Sequence, residues 1–294
     1  MDGRLYQPKT IHQLVEEFDF RFTKSLGQNF LIDGNVIRKI ADAAQVSQGD
    51  AVLEIGAGIG VLTEEMALRG AQVLCVEIDE SLRPILKKTL GHYPQVTIHY
   101  QDILKVDLRA LLEERFGQRP VKVVANLPYY VTTPILRFLL REDYNIQSIH
   151  VMVQREMAQR LVATSGKDYG SISVYMQLRG RIEKVLNVPA SCFMPAPRVD
   201  SAVLAIVPKF DPLLDYVQLE KIVRGAFSKR RKTLLNALST YGLPVEKSQI
   251  EAALLKTGID PKRRAETLSP EDYIRLGANF PKISGGKGGE HFGE

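Results

Sequence analysis

The sequence predicts an α/β protein in which a mostly parallel sheet is followed by a small helical domain. Three observations carry this. Short apolar runs, AVLEIG, AQVLCVEI, VTIHY, VKVVAN and SIHVMV, recur from Ala51 to Val153 between amphipathic stretches, which is the rhythm of parallel strands joined by crossover helices. Beyond Pro208 the period changes, and Leu219, Ile222, Val223, Ala226 and Phe227, then Leu234, Leu235 and Leu238, repeat at helical spacing. With 45% hydrophobic and 25% charged residues, the 294-residue chain can bury the core that such a sheet needs.

Taken in order, TIHQLVEEFDF reads as a short helix leading into RFTKSLGQNFLID. VLTEEMALRG is a crossover helix, with Leu62, Met66 and Ala67 on its apolar side and Gly70 as its C-terminal stop. IEKVLNVP and DSAVLAIVP read as sheet-edge strands joined by a long loop, ASCFMPAPRV, whose prolines deny a central strand within it. The Gly-rich, charged end SGGKGGEHFGE is expected to be disordered. The expected division is residues 1–208 as a sheet domain with an N-terminal extension, 209–280 as a helical domain and 281–294 as a flexible tail.

The formal charge of +5 makes the surface mildly attractive to polyanions. The two cysteines, Cys75 and Cys192, have no CxxC or His-rich partner, so no metal site is expected and a reducing compartment fits. MDGRLYQPKT lacks an apolar signal core, and no stretch approaches the roughly 18 apolar residues of a membrane helix. A cytoplasmic protein without a membrane partner is expected.

LEIGAGIGVLT places Gly56, Gly58 and Gly60 between a strand and a helix, where the backbone can turn tightly and approach a ligand. Twenty-one residues after Gly56, Glu77 ends the next strand, where a carboxylate can accept both hydroxyls of a ribose. The dinucleotide fingerprint G-x-G-x-x-G requires glycine at position 61, which is Val61 here; this favours a nucleoside ligand without a pyrophosphate. A tight turn beside a solvated Glu satisfies the same pattern. Asp102, after VTIHY, can hold an adenine exocyclic amine with Ile78 and Ile103 on either side of the ring, and it also reads as a turn residue or helix cap.

ANLPYYVTTP ends the fourth strand with an amide and two tyrosines. An adenine N6 amine is a weak nucleophile, because its lone pair is delocalised into the ring, so attack on a methyl sulfonium requires it to be desolvated and held. The Asn126 side-chain oxygen and the Leu127 backbone carbonyl can each take one N6 hydrogen, while Pro128 fixes the turn and Tyr129 stacks on the extruded base. A plain Asn-Leu-Pro turn with core tyrosines is the competing reading.

GQNFL, LEIGAGIGVLT, VEID, QDIL, NLPYYVTTPIL, FMPAPRVDSAV and GIDPKRRAETLSPEDY, in that order, resemble the ribosomal RNA adenine N6,N6-dimethyltransferases, from about Thr23 to Gly277. GIDPKRRAETLS points within that family to the small-subunit branch. The resemblance implies a class I methyltransferase (Rossmann-like) sheet with one antiparallel strand at its edge, S-adenosyl-L-methionine as cofactor, and dimethylation of two adjacent adenosines near the 3′ end of small-subunit rRNA. It implies that Asn29 and Leu31 contact the cofactor, that Gly56, Glu77, Asp102 and Asn126 complete its pocket, and that Phe193 faces the target adenine opposite Tyr129. The partner would be small-subunit rRNA in a ribosomal subunit or its precursor, met by a monomer without a metal, with the helical domain contacting RNA. Phe193 also reads as an apolar anchor for its loop. Open alternatives are a large-subunit rRNA dimethylase of the antibiotic-resistance type, a methyltransferase gripping a glutamine amide, and a ribosome assembly factor with secondary methylation.

FSKRRKTLLN sets Lys229, Arg230, Arg231 and Lys232 within a helical pattern, where four consecutive cations cover more than one face. Lys262, Arg263 and Arg264 form a second cluster, and the chain from Pro189 onward carries 16 Lys and Arg against 12 Asp and Glu. An RNA-docking surface and an ordinary solvated turn are the two readings.

Overall fold

In the computed structural model, which describes residues 4–20 and 27–283, the five apolar runs form the parallel part of a seven-stranded sheet. The strands are β1 (Phe30–Leu31), β2 (Ala51–Ile55), β3 (Gln72–Glu77), β4 (Val96–Tyr100), β5 (Val121–Asn126), β6 (Ile146–Gln154), β7 (Gly180–Val188), β8 (Phe193–Met194) and β9 (Ser201–Pro208). The large sheet has the order β4-β3-β2-β5-β6-β9-β7, and β1 and β8 form a separate antiparallel pair. Val52, Leu53, Val123 and Val124 are fully buried, as strands covered on both faces require.

The reversed strand does not lie at the edge, as the resemblance implied. β9 runs antiparallel to both β6 and β7, one place in, and β7 takes the edge. Side-chain chemistry explains the order. From Ser201 to Leu204 every residue of β9 is buried, whereas β7 exposes Arg181, Glu183 and Lys184, and charge on an outer strand blunts edge-to-edge pairing.

Helices α1 (Pro8–Glu17), α2 (Gly34–Ala43), α3 (Val61–Leu68), α4 (Arg83–Leu90), α5 (Leu108–Phe116), α6 (Thr132–Leu139) and α7 (Arg155–Val162) belong to the unit containing the sheet. Gly70 stops α3 as its position predicted, with φ of 81° and the Ala71 N–H returning to the Met66 carbonyl at 3.2 Å. The helix is buried from Val61 to Ala67, Glu64 and Glu65 included. Those two acids are compensated by Arg4, which reaches Glu64 at 3.1 Å and Glu65 at 2.8 Å and so ties the N-terminal segment to α3.

Among the described residues, the second unit comprises 163–178 and 211–283, with α8 (Ser171–Gln177), α9 (Tyr216–Phe227), α10 (Leu234–Ser239), α11 (Lys247–Lys256) and α12 (Pro270–Asn279). Residues 163–178 were expected with the sheet. They pack instead with the helices because Tyr169, Val174 and Leu178 join the core of Leu219, Ile222 and Tyr273. The Tyr169 hydroxyl donates to the Leu268 carbonyl at 2.9 Å, and its ring meets Phe227 edge-on at 5.9 Å. Of the tail expected to be flexible, residues 284–294 lie outside the described residues. Among those described, no helix is long and apolar enough to cross a membrane.

One carboxyl is embedded in the sheet. Glu54 of β2 is 1% exposed and accepts from Thr63 Oγ1 at 2.5 Å and Cys75 Sγ at 3.3 Å. Burial pushes its pKa up to about 8 against the ordinary 4.5, the two donors and the charge of Glu77 being smaller influences. A carboxyl whose folded pKa is raised contributes stability that is full below the unfolded pKa and is lost as pH climbs through the folded one. Unfolding titrations from pH 4.5 to 8 are therefore expected to show stability falling by an amount on the order of a few kcal/mol attributable to this group, and Glu54→Gln is expected to flatten that slope. An equally steep profile in the variant would refute the assignment.

Candidate active site

Because β2 to β5 run in one direction, their carboxyl ends open into one crevice. Gly56 follows β2, Glu77 closes β3, Asp102 lies just beyond β4 and Asn126 closes β5. These four, with Asn29, Leu127, Pro128 and Tyr129, line a cavity of about 200 Å³. The site residues expected from sequence converge there, with two exceptions.

Leu31 and Phe193 do not line it. They are partners in the β1–β8 pair, 2% and 3% exposed, and both side chains belong to the hydrophobic core. The two-residue ladder draws the Pro-rich loop inward, so the Phe193 ring is an apolar anchor in this conformation and not a face of the cavity. No periodicity in so short a ladder announces it in the sequence.

The glycine turn leaves room where a ligand must come close. Gly56 has φ of 78°, and a Cβ there would meet no protein atom within 4 Å, so the backbone borders open cavity. At Gly58, with φ of 57°, a Cβ would sit 3.1 Å from the Phe30 ring, which packs over the turn. The Gly58 N–H donates to Glu77 Oε2 at 3.1 Å and the Asp79 N–H to Oε1 at 2.9 Å. Burial raises the Glu77 pKa, and backbone donors from Asp79, Gly58 and Ile78 oppose that rise. Each oxygen keeps a lone pair for a further donor, which suits a vicinal diol.

Asp102 is a cap, and it also stands where its other reading would need it. Oδ1 caps the following turn by accepting from the Leu104 N–H at 3.0 Å, while the residue forms part of the cavity wall. Ile78 and Ile103 also line the cavity, the first 50% exposed and the second 6%.

The NLPYY turn is braced from three sides. Asn126 Nδ2 donates to the Asn29 carbonyl at 3.1 Å, and the amide is oriented by that bond, which leaves Oδ1 as the atom able to accept from a ligand. The Leu127 N–H reaches the Met152 carbonyl at 3.3 Å, and the Pro128 carbonyl accepts from Val131 N–H and Thr132 Oγ1, both at 3.2 Å. The Tyr129 hydroxyl is 2.7 Å from Ser201 Oγ of β9, and burial raises its pKa, so the phenol stays protonated. The segment facing this turn is also held: Asn29 Nδ2 donates to the Gly27 carbonyl at 2.9 Å and Gln28 Nε2 to Asp79 Oδ2 at 2.6 Å. Sequence reasoning gave no role to Gln101, Leu104 or Tyr130, which also line the cavity; the signal available was their adjacency to Asp102 and Tyr129.

In the helical unit, the run Lys229–Lys232 is not helical. α9 ends at Phe227 and residues 228–232 form a turn before α10, so the expectation of cations spread over helix faces is corrected. Just beyond the turn, the start of α10 lies against the segment that carries the second cluster: Leu234 N–H donates to the Arg263 carbonyl at 2.7 Å and Leu235 N–H to the Pro261 carbonyl at 3.3 Å. Arg263 is engaged with Thr267 Oγ1 at 3.0 Å and Asp272 at 3.6 Å. Among the described residues, no group of three or more His, Cys, Asp or Glu is placed to hold a metal ion.

The strand order with its single reversed strand, and a nucleoside-sized cavity at the carboxyl ends, define a class I methyltransferase. The family model for ribosomal RNA adenine dimethylase matches residues 19–280, and the chain belongs to that family, with S-adenosylmethionine as its cofactor. The ribosomal RNA small subunit methyltransferase A of Alkaliphilus oremlandii is 47% identical over 283 residues, covering 95% of this chain and 99% of the relative. The protein of the same name from Geobacillus sp. strain WCH70 is 45% identical, covering 94% and 97%. Among solved structures, a dimethyladenosine transferase from Plasmodium falciparum aligns with a TM-score of 0.73 at 25% identity, covering 84% of this chain and 95% of that one. The 23S rRNA methyltransferase ErmE aligns with a TM-score of 0.66 at 27% identity, covering 86% and 99%.

The cavity's own residues fit the cofactor: a buried carboxylate for the ribose, open space above Gly56, and an acid beside apolar walls for the adenine. Glu77→Ala is expected to weaken S-adenosylmethionine binding by about 1.5 to 3 kcal/mol, the worth of a charge-assisted hydrogen bond, in a variant that remains folded. Calorimetric titration measures it, and unchanged affinity would remove Glu77 from the ribose site.

Proposed function

We propose that the enzyme transfers methyl groups to N6 of two adjacent adenosines near the 3′ end of small-subunit rRNA, giving N6,N6-dimethyladenosines during ribosome biogenesis in the cytoplasm. The substrate would be rRNA in a ribosomal subunit or its precursor, met by a monomer that needs no metal. The names of the curated relatives support the small-subunit reading. The Asn126 amide, its nitrogen committed to the Asn29 carbonyl, is the observation that supports the chemistry.

When bound, S-adenosylmethionine supplies an electrophilic methyl on a sulfonium. Glu77 would hold the ribose hydroxyls, and Asp102, with Ile78 and Ile103 beside it, would accept from the cofactor's adenine amine. Asn29 closes the pocket while its carbonyl fixes Asn126. The target base leaves its stack and lies against Tyr129, and its N6 hydrogens go to Asn126 Oδ1 and the Leu127 carbonyl. These acceptors orient the nitrogen lone pair toward the methyl and exclude water, so rate comes from proximity and orientation.

Proton removal needs no dedicated base. Methylation makes N6 cationic and acidic, so its proton can pass to water or a backbone carbonyl. The carboxylates of the cavity are Glu77 and Asp102. Both are already bonded to backbone N–H groups, and both are assigned to the cofactor. A neutral amide at position 126 positions the amine without competing for its proton, and after one methylation a single N6 hydrogen remains for it to hold.

Incubation with labelled cofactor and either small or large ribosomal subunits lacking native adenine methylation tests the substrate; label confined to large subunits would reject the reading. Asn126→Ala, and likewise Tyr129→Ala, are expected to reduce turnover far more than RNA affinity, since phosphate contacts supply most of the binding. Equal losses in both would make these residues docking elements. Changing Lys229, Arg230, Arg231 and Lys232 together to Ala should leave cofactor affinity intact and weaken subunit binding. The salt dependence should flatten by about one unit of slope for each phosphate that is no longer neutralised. Titration at several salt concentrations reads this, and an unchanged slope would return the turn to ordinary solvated surface.

A further inference from the structure

Tyr130 contrasts with the tyrosine beside it. Both lie on the short turn Tyr129–Val131 and both line the cavity, but Tyr129 is half-buried with its hydroxyl on Ser201, whereas Tyr130 is 60% exposed. A large, exposed aromatic ring on the wall of a cavity retains apolar surface that packing has not covered. The ring is nevertheless backed. A Cβ built on Gly27, whose φ is 60°, would sit 3.7 Å from Tyr130 Cδ1 and 3.9 Å from Cε1, so the ring lies against the glycine two residues before Asn29. Pro128, which fixes the turn, borders the same glycine, that Cβ position being 3.7 Å from Pro128 Cβ. The ring is therefore held at one edge by backbone and open to solvent over much of its area.

An extruded adenosine enters the cavity with a covalently attached neighbour. That neighbour has lost a stacking partner, and it lies at the mouth because the phosphodiester permits no other distance. We infer that Tyr130 is a second stacking platform, which takes the base of the nucleotide adjacent to the target while Tyr129 takes the target itself. The role rests on the proposed reading that two adjacent adenosines are modified, and under it the same ring holds the second adenosine ready while the first reacts. A base presents a π-face whatever its identity, so stacking gives grip and register without reading sequence. Tyr130 is a positioning residue: it touches the substrate strand and leaves the reacting nitrogen to Asn126.

The test uses the full-length enzyme with small subunits lacking the methylations, and follows each adenosine by mass spectrometry of digested rRNA. Tyr130→Ala is expected to raise KM for the subunit about five-fold or more, the effect of removing one stacked base, with kcat for the adenosine modified first changed much less. It is also expected to delay the second adenosine, so that subunits modified at one position accumulate. Tyr130→Phe and Tyr130→Trp keep a ring and should hold KM within about two-fold of the parent, whereas a merely structural role would not be rescued by Trp. S-adenosylmethionine affinity should be the same in all. A normal KM and product pattern for Tyr130→Ala overturns the inference, as does a loss of cofactor affinity, which would make the ring a cover for the cofactor. If the parent enzyme modifies large subunits and not small ones, the substrate reading has failed; the same variants then test the platform on large subunits, where the KM shift alone decides.

Discussion

The parallel pairing of β2 with both β3 and β5 is the constraint on which the rest depends. From β2 the chain crosses to β3 on one side, and later returns to β5 on the other, so β2 and β5 stand at the point where the strand order reverses. Right-handed crossovers then carry the helices to opposite faces of the sheet, and the loops leaving β2 and β5 part from each other at their carboxyl ends. The crevice is a consequence of topology before any side chain is chosen. Gly56 and Asn126 flank it because one directly follows β2 and the other ends β5.

Two buried glutamates on neighbouring strands show how the same side chain is assigned opposite work. Glu54, on β2, finds a hydroxyl and a thiol in the interior, and burial prevails, holding the carboxyl protonated to about pH 8. Glu77, at the carboxyl end of β3, is nearly as buried at 4% exposure but receives backbone N–H groups from the glycine turn and from Asp79. Burial raises this pKa as well, but those donors oppose the rise, and they arise because the strand has ended and its successors have left the ladder. Position along a strand, not residue type, separates the carboxyl inside the sheet from the one that lines the cavity.

The parts of this fold that were legible in the sequence are those with a period or a fixed spacing. Five parallel strands, the Gly70 stop and the convergence of Gly56, Glu77, Asp102 and Asn126 all follow from local pattern plus the rule that open α/β sheets bind ligands at strand ends. What was not legible depends on partners remote in sequence. Tyr169 and Val174 pack with Leu219 and Ile222, which no local window of sequence contains. β9 inserts inside β7 because its own residues are apolar on both faces while β7 is charged, a comparison between strands and not a property of either. Phe193 looked available in a Pro-rich loop until a two-residue pairing with Phe30–Leu31 withdrew it.

That small pairing also explains why a segment so far from the sheet belongs to the site. β1 is fastened to β8, and the Ile32 N–H continues the attachment to the Cys192 carbonyl at 2.9 Å. Phe30, the first residue of β1, is thereby pressed over Gly58, where a Cβ would crowd its ring at 3.1 Å. One residue earlier, Asn29 offers its carbonyl to Asn126, and Gln28 reaches Asp79 beside the Glu77 carboxylate. Residues 28 to 30 thus connect the glycine turn, the β3 end and the β5 end through interactions that are individually modest, about 1 kcal/mol for a typical hydrogen bond. Their value lies in orientation. An amide that could rotate would present nitrogen and oxygen alternately to an amine, and only the oxygen can hold it; the Asn29 carbonyl removes that ambiguity by occupying the nitrogen. A site without a general base depends on such placement for its rate, so the N-terminal segment is as much a part of the proposed chemistry as the strand ends that it covers.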